Sequence, residues 1–205
     1  MLESPIVTDH AMSIDPHPFG ADPEHPLRDE SELELIFVRS CKPRHLWRVG
    51  AEAEKFGFDA KTGAPLRYAG NLGVEGILHN LIDRHGWHEE AEYPGGPLIA
   101  LRRGEASVTL EPGAQLELSG APMPNMHAIA SELVGHMTEL EKSARDLGIV
   151  WLGLGFHPFA RQEDLDWVPK SRYAIMREYL PTKGKNGLDM MRRTSTVQAN
   201  FDVTS

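Results

Sequence analysis

Four short segments of this chain alternate apolar and polar residues, and this alternation most constrains how the chain can fold. In an extended strand, successive side chains point to opposite faces of a sheet. Each segment therefore has one apolar face and one polar face. The segments cover residues 49–58, 107–111, 115–119 and 196–203. The pattern predicts four strands whose apolar sides cover a core and whose polar sides share one front.

The polar front of these strands is acidic. It carries Glu52 and Glu54 on the first strand, Glu111 and Glu117 on the next two, and Gln198, Asn200 and Asp202 on the last. If the strands lie side by side and antiparallel, four like charges gather there and repel one another. Two or more Mg²⁺ ions that bridge to nucleotide phosphates would relieve this repulsion and orient a phosphoryl group for transfer. Taken alone, the Glu52 and Glu54 pair is more typical of a solvated strand edge than of a metal site.

Helical spacing of apolar residues predicts the elements that cover the apolar side. We expect a first helix near residues 31–37, a second over 74–86 and a third over 125–147, with Gly86 and Gly148 as stops. A further helix follows Pro169. Residues 149–156 predict a buried strand, and the stretch around Gly184 and Gly187 predicts a loop. The fold class is therefore α+β, with an antiparallel sheet and helices on one face.

Composition narrows the classes of function. The proline-rich residues 1–30 predict a flexible leader, and residues 31–205 the folded part. A net charge of -9 argues against a nucleic-acid partner or an anionic membrane surface. No apolar run approaches the roughly 18 residues of a membrane span. The only cysteine, Cys41, excludes an internal disulfide and suits a reducing compartment, so we expect a cytoplasmic protein.

Basic residues cluster in the last quarter of the chain. They are Lys170, Arg172, Arg177, Arg192 and Arg193. Arginine binds carboxylates and phosphates through a planar, two-pronged geometry, which fits recognition of a small acidic substrate. The alternative is that each is a surface charge that balances an acidic protein. Neither a Gly-Lys-Ser/Thr phosphate loop nor a dinucleotide glycine fingerprint is present.

Longer motifs carry a family resemblance. Residues 50–58, 110–122, 169–177 and 187–200 resemble, in collinear order, the plant and proteobacterial type of glutamate-cysteine ligase. The similarity runs from about residue 32 to the end of the chain. It implies a glutamine-synthetase-like curved sheet, apparently incomplete because chains of that family are much longer. It also implies the first step of glutathione synthesis, in which ATP phosphorylates the side-chain carboxylate of glutamate and the amine of cysteine displaces the phosphate.

The resemblance also implies roles for individual residues. Glu52, Glu54, Glu111 and Glu117 become ligands of Mg²⁺. Arg177 becomes the leading residue for binding the substrate glutamate, and Arg193 a second one. Gln198 and Asn200 line the site near metal and nucleotide.

Two other functions remain open from the sequence. The chain could be a truncated, non-catalytic remnant or a partner whose site a second chain or a missing C-terminal half completes. It could also be a sister carboxylate-amine ligase with a different amine substrate.

Overall fold

The computed structural model describes residues 29–204, which form two compact units. The smaller unit contains residues 29–46 together with 203–204. Its helix α1 spans Glu30–Ser40, and a 3-10 turn covers Arg44–Leu46. Asp29 caps α1 by accepting a hydrogen bond from the backbone N–H of Ser31 at 2.8 Å. The first predicted helix is thus confirmed, whereas the predicted leader lies almost wholly outside the described residues.

The larger unit, Trp47–Asp202, is built around an open, seven-stranded antiparallel sheet. Its strands are β1 Val49–Asp59, β2 His88–Glu89, β3 Ala100–Arg103, β4 Ala106–Leu110, β5 Leu116–Ser119, β6 Ile149–Leu152 and β7 Val197–Phe201. Its helices are α2 Val74–His85, α3 Met126–Ala144, α4 Ser171–Tyr179 and α5 Gly187–Arg193. The strand order is β2-β3-β4-β5-β1-β6, and β7 pairs separately with β1. The four strands predicted from alternation are therefore immediate neighbours, and the α+β antiparallel class is confirmed.

Strand β1 is the centre of the sheet because three strands pair with it. β5 lies along residues 52–55 and β7 along residues 49–53, on opposite sides, and β6 pairs with residues 56–59. The register sets Glu54 directly opposite Glu117, and Glu52 opposite Gln198. Since paired residues in neighbouring strands point to the same face, the predicted polar residues share one front.

The core lies behind that front, between the apolar side of the sheet and helices α2 and α3. Leu101, Val108 and Leu118 come from three successive strands and are almost fully buried. Ile77 of α2 and Leu140 of α3 pack in the same cluster. α2 stops where the sequence predicts, because Gly86 adopts the left-handed conformation (φ 69°) that glycine reaches at low cost. α3 ends earlier than predicted, at Ala144, and a 3-10 turn over Arg145–Leu147 continues to Gly148, which is also left-handed (φ 67°).

Two predicted elements differ from the structure. The stretch predicted as a loop around Gly187 begins α5, a short helix of seven residues. The strand predicted over 149–156 is shorter and is not buried throughout: in β6, Trp151 is buried while Val150 and Leu152 are exposed. The apolar run resembled a strand covered on both faces, but β6 has only one covered face. Within residues 29–204, no helix combines the length and apolar character needed to cross a membrane.

Candidate functional site

The polar front of the sheet gathers the four glutamates that the sequence singles out. Glu52 and Glu54 project from β1, and Glu117 projects from β5 directly opposite Glu54. Glu111 follows β4 immediately, in the tight turn to β5, where its backbone N–H donates to the carbonyl of Gln115 at 2.9 Å. The turn holds Glu111 at the end of the same front. Four acidic groups from three strands therefore lie on one surface.

Neighbouring strands hold three of these carboxylates with hydrogen bonds. Thr196 donates to both oxygens of Glu54, from its backbone N–H at 2.9 Å and its hydroxyl at 3.0 Å. The amide of Asn200 donates to Glu52 at 2.9 Å. The hydroxyl of Thr109 donates to Glu117 at 2.8 Å in the same way. These bonds fix the carboxylates and leave other lone pairs free to accept a cation.

Gln198 lies on the front between Thr196, which binds Glu54, and Asn200, which binds Glu52. It pairs with Glu52 across the β1–β7 ladder, and its amide nitrogen lies 3.5 Å from the hydroxyl oxygen of Thr196. Both residues predicted to line the site, Gln198 and Asn200, are therefore brought to the glutamates.

The charge of Glu111 is set by burial and by its neighbours. Burial is the largest cause that raises the pKa of the Glu111 carboxyl above its ordinary value. The cations Lys170 and Arg172 oppose the rise, and the negative charges of Glu54 and Glu52 add to it. Glu111 is thus the point where the acidic front meets two cations.

Glu117 is more enclosed, with only 8% of the residue exposed. Burial again raises its pKa, the hydrogen bond from Thr109 lowers it, and the charges of Glu111 and Glu52 raise it further. The carboxylates therefore resist carrying full charge together in the absence of a cation.

One positive charge approaches this cluster through the sheet. Lys55 lies on the core side of β1, is 4% exposed, and donates from Nζ to the carbonyl of Ala53 at 2.8 Å. Burial lowers the pKa of Lys55 to about 8, and the charges of Glu117 and Glu54 limit the fall. Lys55 offsets part of the negative charge of the front but offers no ligand to it.

The donor chemistry of the front fits magnesium. All four groups are carboxylates, and hard divalent cations prefer such oxygen ligands. Among residues 29–204, however, no group of three or more His, Cys, Asp or Glu side chains is arranged so that it could hold a metal ion as it stands. A shared ion would have to bind the lone pairs that remain, or draw the carboxylates away from their threonine and asparagine partners.

The two arginines predicted to bind substrate lie apart from the glutamates. The guanidinium of Arg177 lies over the ring of Trp167, 5.3 Å from its centroid. Both line a pocket of about 170 Å³ that Lys170 also lines. Arg193 instead pairs with Asp189 at 3.1 Å and lies over the ring of Phe156. Within the described chain, neither arginine forms a hydrogen bond or ion pair with the four glutamates.

Sequence reasoning missed four residues at the front. Thr109 and Thr196 hold carboxylates, and their position on polar strand faces was the available signal. Lys170 and Arg172 belong to the basic cluster seen in the sequence, which does not indicate that they lie at this front. Their proximity to Glu111 depends on tertiary contacts that no local pattern encodes.

These features define an α+β domain whose open antiparallel sheet presents one acidic, carboxylate-rich face. The chain belongs to glutamate-cysteine ligase family 2, because the model of that family, GCS2, matches residues 48–205. The resemblance seen in the sequence motifs is thereby confirmed.

Curated relatives are named as ligases of this type. The chain is 42% identical over 180 residues to a chloroplastic glutamate-cysteine ligase of Brassica juncea. It is 42% identical to chloroplastic ligase A of Oryza sativa subsp. japonica and 41% identical to the chloroplastic ligase of Arabidopsis thaliana. Each match covers 88% of this chain but only 33–35% of the relative. The chain thus spans about a third of the length of the curated relatives it matches.

The predicted cytoplasmic location is wrong, since these relatives are named as chloroplastic enzymes. The prediction rested on the single cysteine, Cys41. One cysteine excludes an internal disulfide but does not distinguish one reducing compartment from another.

Proposed function

We propose that the chain forms part of an ATP- and Mg²⁺-dependent ligase that joins the γ-carboxylate of glutamate to the amine of cysteine, the first step of glutathione synthesis. The observation that supports this most is the gathering of four carboxylates on one sheet face in a chain of this family. We further propose that the sheet belongs to the curved, glutamine-synthetase-like type, since its polar face is the one that carries the acidic groups.

In the proposed reaction, an oxygen of the glutamate γ-carboxylate attacks the terminal phosphorus of ATP, and ADP leaves. The amine of cysteine then attacks the carbonyl carbon of the acyl phosphate. The new C–N bond forms, inorganic phosphate leaves, and the amine proton passes to solvent. Magnesium bound by Glu52, Glu54, Glu111 and Glu117 would neutralise the phosphate oxygens as charge moves between them.

This chain's own residues would position the reactants. Thr196, just before β7, holds Glu54, and Asn200 of β7 holds Glu52. Gln198, which lies between them in the sequence, would line the site near the nucleotide. Arg177, beside a small pocket, would bind a carboxylate of glutamate. Arg193 would contribute only if it left its ion pair with Asp189, so we rank it second.

The direct test is phosphate release from Mg·ATP by the protein, with glutamate and cysteine omitted in turn. We expect release to require both amino acids, and Glu54→Gln to lower it at least roughly 100-fold, as expected for loss of a group that stabilises transferring charge. Glu105→Gln, on an exposed turn, is the matched control and should leave the rate unchanged. A rate that survives Glu54→Gln would contradict the metal assignment.

The same assay separates the alternatives. A sister ligase would release phosphate with another amine in place of cysteine. A non-catalytic remnant or partner chain would bind neither Mg²⁺ nor ATP in calorimetry, whereas binding without turnover would indicate that residues outside this chain complete the site.

A further inference from the structure

Two cations, Lys170 and Arg172, lie at the end of the acidic front. They belong to the start of α4, which the structure ties to the turn that carries Glu111. The hydroxyl of Tyr173 donates to the carbonyl of Leu110 at 2.7 Å, and Tyr173 is 1% exposed. These contacts fix the backbone of the segment that carries the cation pair next to Glu111.

A second bond strengthens this attachment. The backbone N–H of Val168 donates to the carbonyl of Pro112 at 3.2 Å. The segment that carries both cations is therefore tied on each side, through Val168 and Tyr173, to the residues that flank Glu111. Its geometry relative to the acidic front is fixed.

The pair is not fully neutralised by the groups around it. The guanidinium of Arg172 approaches Glu111 only to 4.0 Å, and its side chain is 63% exposed. Within the described chain, the Nζ of Lys170 donates no hydrogen bond and has no carboxylate within ion-pair distance. Both cations instead flank one aromatic ring, 5.5 Å and 5.2 Å from the centroid of Tyr173.

Such an arrangement is unfavourable without an anion. Burial lowers the pKa of Lys170, and the positive charge of Arg172 lowers it further, so the two cations repel each other. The charges of Glu111, Glu117 and Glu92 offset only part of this, since the pKa of Lys170 stays below its ordinary value. A polyanion bound between the pair and the acidic front would form ion pairs with both cations. The metal ion bound to that polyanion would in turn neutralise the carboxylates.

We propose that Lys170 and Arg172 form the anion-binding side of this site and hold the phosphate groups of the nucleotide next to Glu111. Lysine serves as a point charge, and arginine offers two parallel N–H donors to phosphate oxygens. The inference rests on the proposed function, because it takes the acidic front to be the site of Mg²⁺ and ATP. It assigns the phosphate contacts to this pair rather than to Arg177 or Arg193.

The test is calorimetric titration of the 205-residue chain with Mg²⁺ and a non-hydrolysable ATP analogue, with tripolyphosphate, and with glutamate. We expect Lys170→Met and Arg172→Gln each to weaken both phosphate ligands roughly 10- to 100-fold, the size of a lost charge-assisted contact. Affinity for glutamate should stay unchanged. Lys183→Met and Arg84→Gln are matched controls on exposed positions, and thermal melts of all variants check that they fold.

The outcomes separate this inference from the function on which it rests. Unchanged phosphate binding in both variants, with binding still weakened in Glu117→Gln, overturns the inference and leaves the ligase proposal intact. Weaker binding of glutamate alone also overturns it, since the pair would then serve a carboxylate. A wild-type chain that binds neither phosphate ligand overturns both proposals.

Discussion

The substitution Glu117→Gln should make the metal-free protein more stable and should weaken its binding of Mg²⁺. Glu117 is 8% exposed, and burial together with the charges of Glu111 and Glu52 raises the pKa of its carboxyl. Two unit charges roughly 5 Å apart repel by about 3 kcal/mol at an effective dielectric constant of about 20. Since solvent and Lys55 relieve part of this, we expect a net gain of about 1–2 kcal/mol for the variant.

That gain can be measured as a shift in the melting temperature. For a domain of this size, 1 kcal/mol corresponds to about 2–4 °C, so the metal-free variant should melt about 2–8 °C higher. Magnesium removes most of this difference, because it stabilises the wild type more than the variant. At 100 times the dissociation constant, a bound ligand adds about 2.7 kcal/mol to the wild type. A variant that binds tenfold more weakly gains about 1.4 kcal/mol under the same conditions.

The assay is a set of thermal melts with EDTA and with Mg·ATP, at neutral pH and constant ionic strength. Glu105→Gln removes the same charge from an exposed turn and controls for net charge. If Glu117→Gln were no more stable than wild type with EDTA, the carboxylates would not be repelling one another. If Mg·ATP stabilised both proteins equally, Glu117 would not contribute to the metal site, and the reasoning would be refuted.

Three further predictions follow from individual contacts. Thr196→Val removes the hydroxyl that holds Glu54 and should weaken Mg²⁺ binding roughly tenfold in calorimetry, the effect typical of a group that orients a ligand. Tyr173→Phe leaves the buried carbonyl of Leu110 without its donor and should cost about 1–3 kcal/mol in urea unfolding. The pKa of Glu111 is raised in the folded state. Its contribution to the unfolding free energy is therefore fully present below pH 4.5, the ordinary pKa, and is lost as pH rises through the folded-state pKa. The unfolding free energy of wild type should therefore fall relative to Glu111→Gln between pH 4 and 7.

Matched controls exist for Thr196→Val and Tyr173→Phe, the two substitutions that change no charge. Thr138→Val removes a hydroxyl that donates only within α3, and Tyr179→Phe removes one from an exposed ring. Equal effects of Thr196→Val and Thr138→Val on Mg²⁺ affinity, or of Tyr173→Phe and Tyr179→Phe on stability, would contradict the assigned contacts.

Alternation and helical spacing were sufficient to predict the strands and helices that build this front. The apolar and polar faces of 107–111, 115–119 and 196–203 follow directly from a period of two, and a register slip would bury the polar faces. Sequence could not choose the exact partner of each residue. That Glu54 faces Glu117, rather than the residue two positions away, depends on the pairing of β1 with β5, two strands that are not consecutive along the chain.

The missed features share one physical cause, which is dependence on distant contacts. α5 is short and polar at its start, so its formation depends on packing of Met191 rather than on intrinsic propensity. Arg193 reads as a free cation in the sequence, but one helical turn places Asp189 beside it. Lys170 and Arg172 reach Glu111 only because Tyr173 bonds to Leu110, 63 residues away.

The pairing of β7 with β1 has a consequence for the order of folding. The bonds from Thr196 to Glu54 and from Asn200 to Glu52 join residues 142 and 148 positions apart. Contacts of such long sequence separation form slowly, because a large loop must close first. During synthesis, one side of β1 stays open until the residues of β7 emerge. Glu54 and Glu52 thus gain their hydrogen-bond partners only when β7 has paired with β1. Tight Mg²⁺ binding would therefore indicate that this pairing has formed.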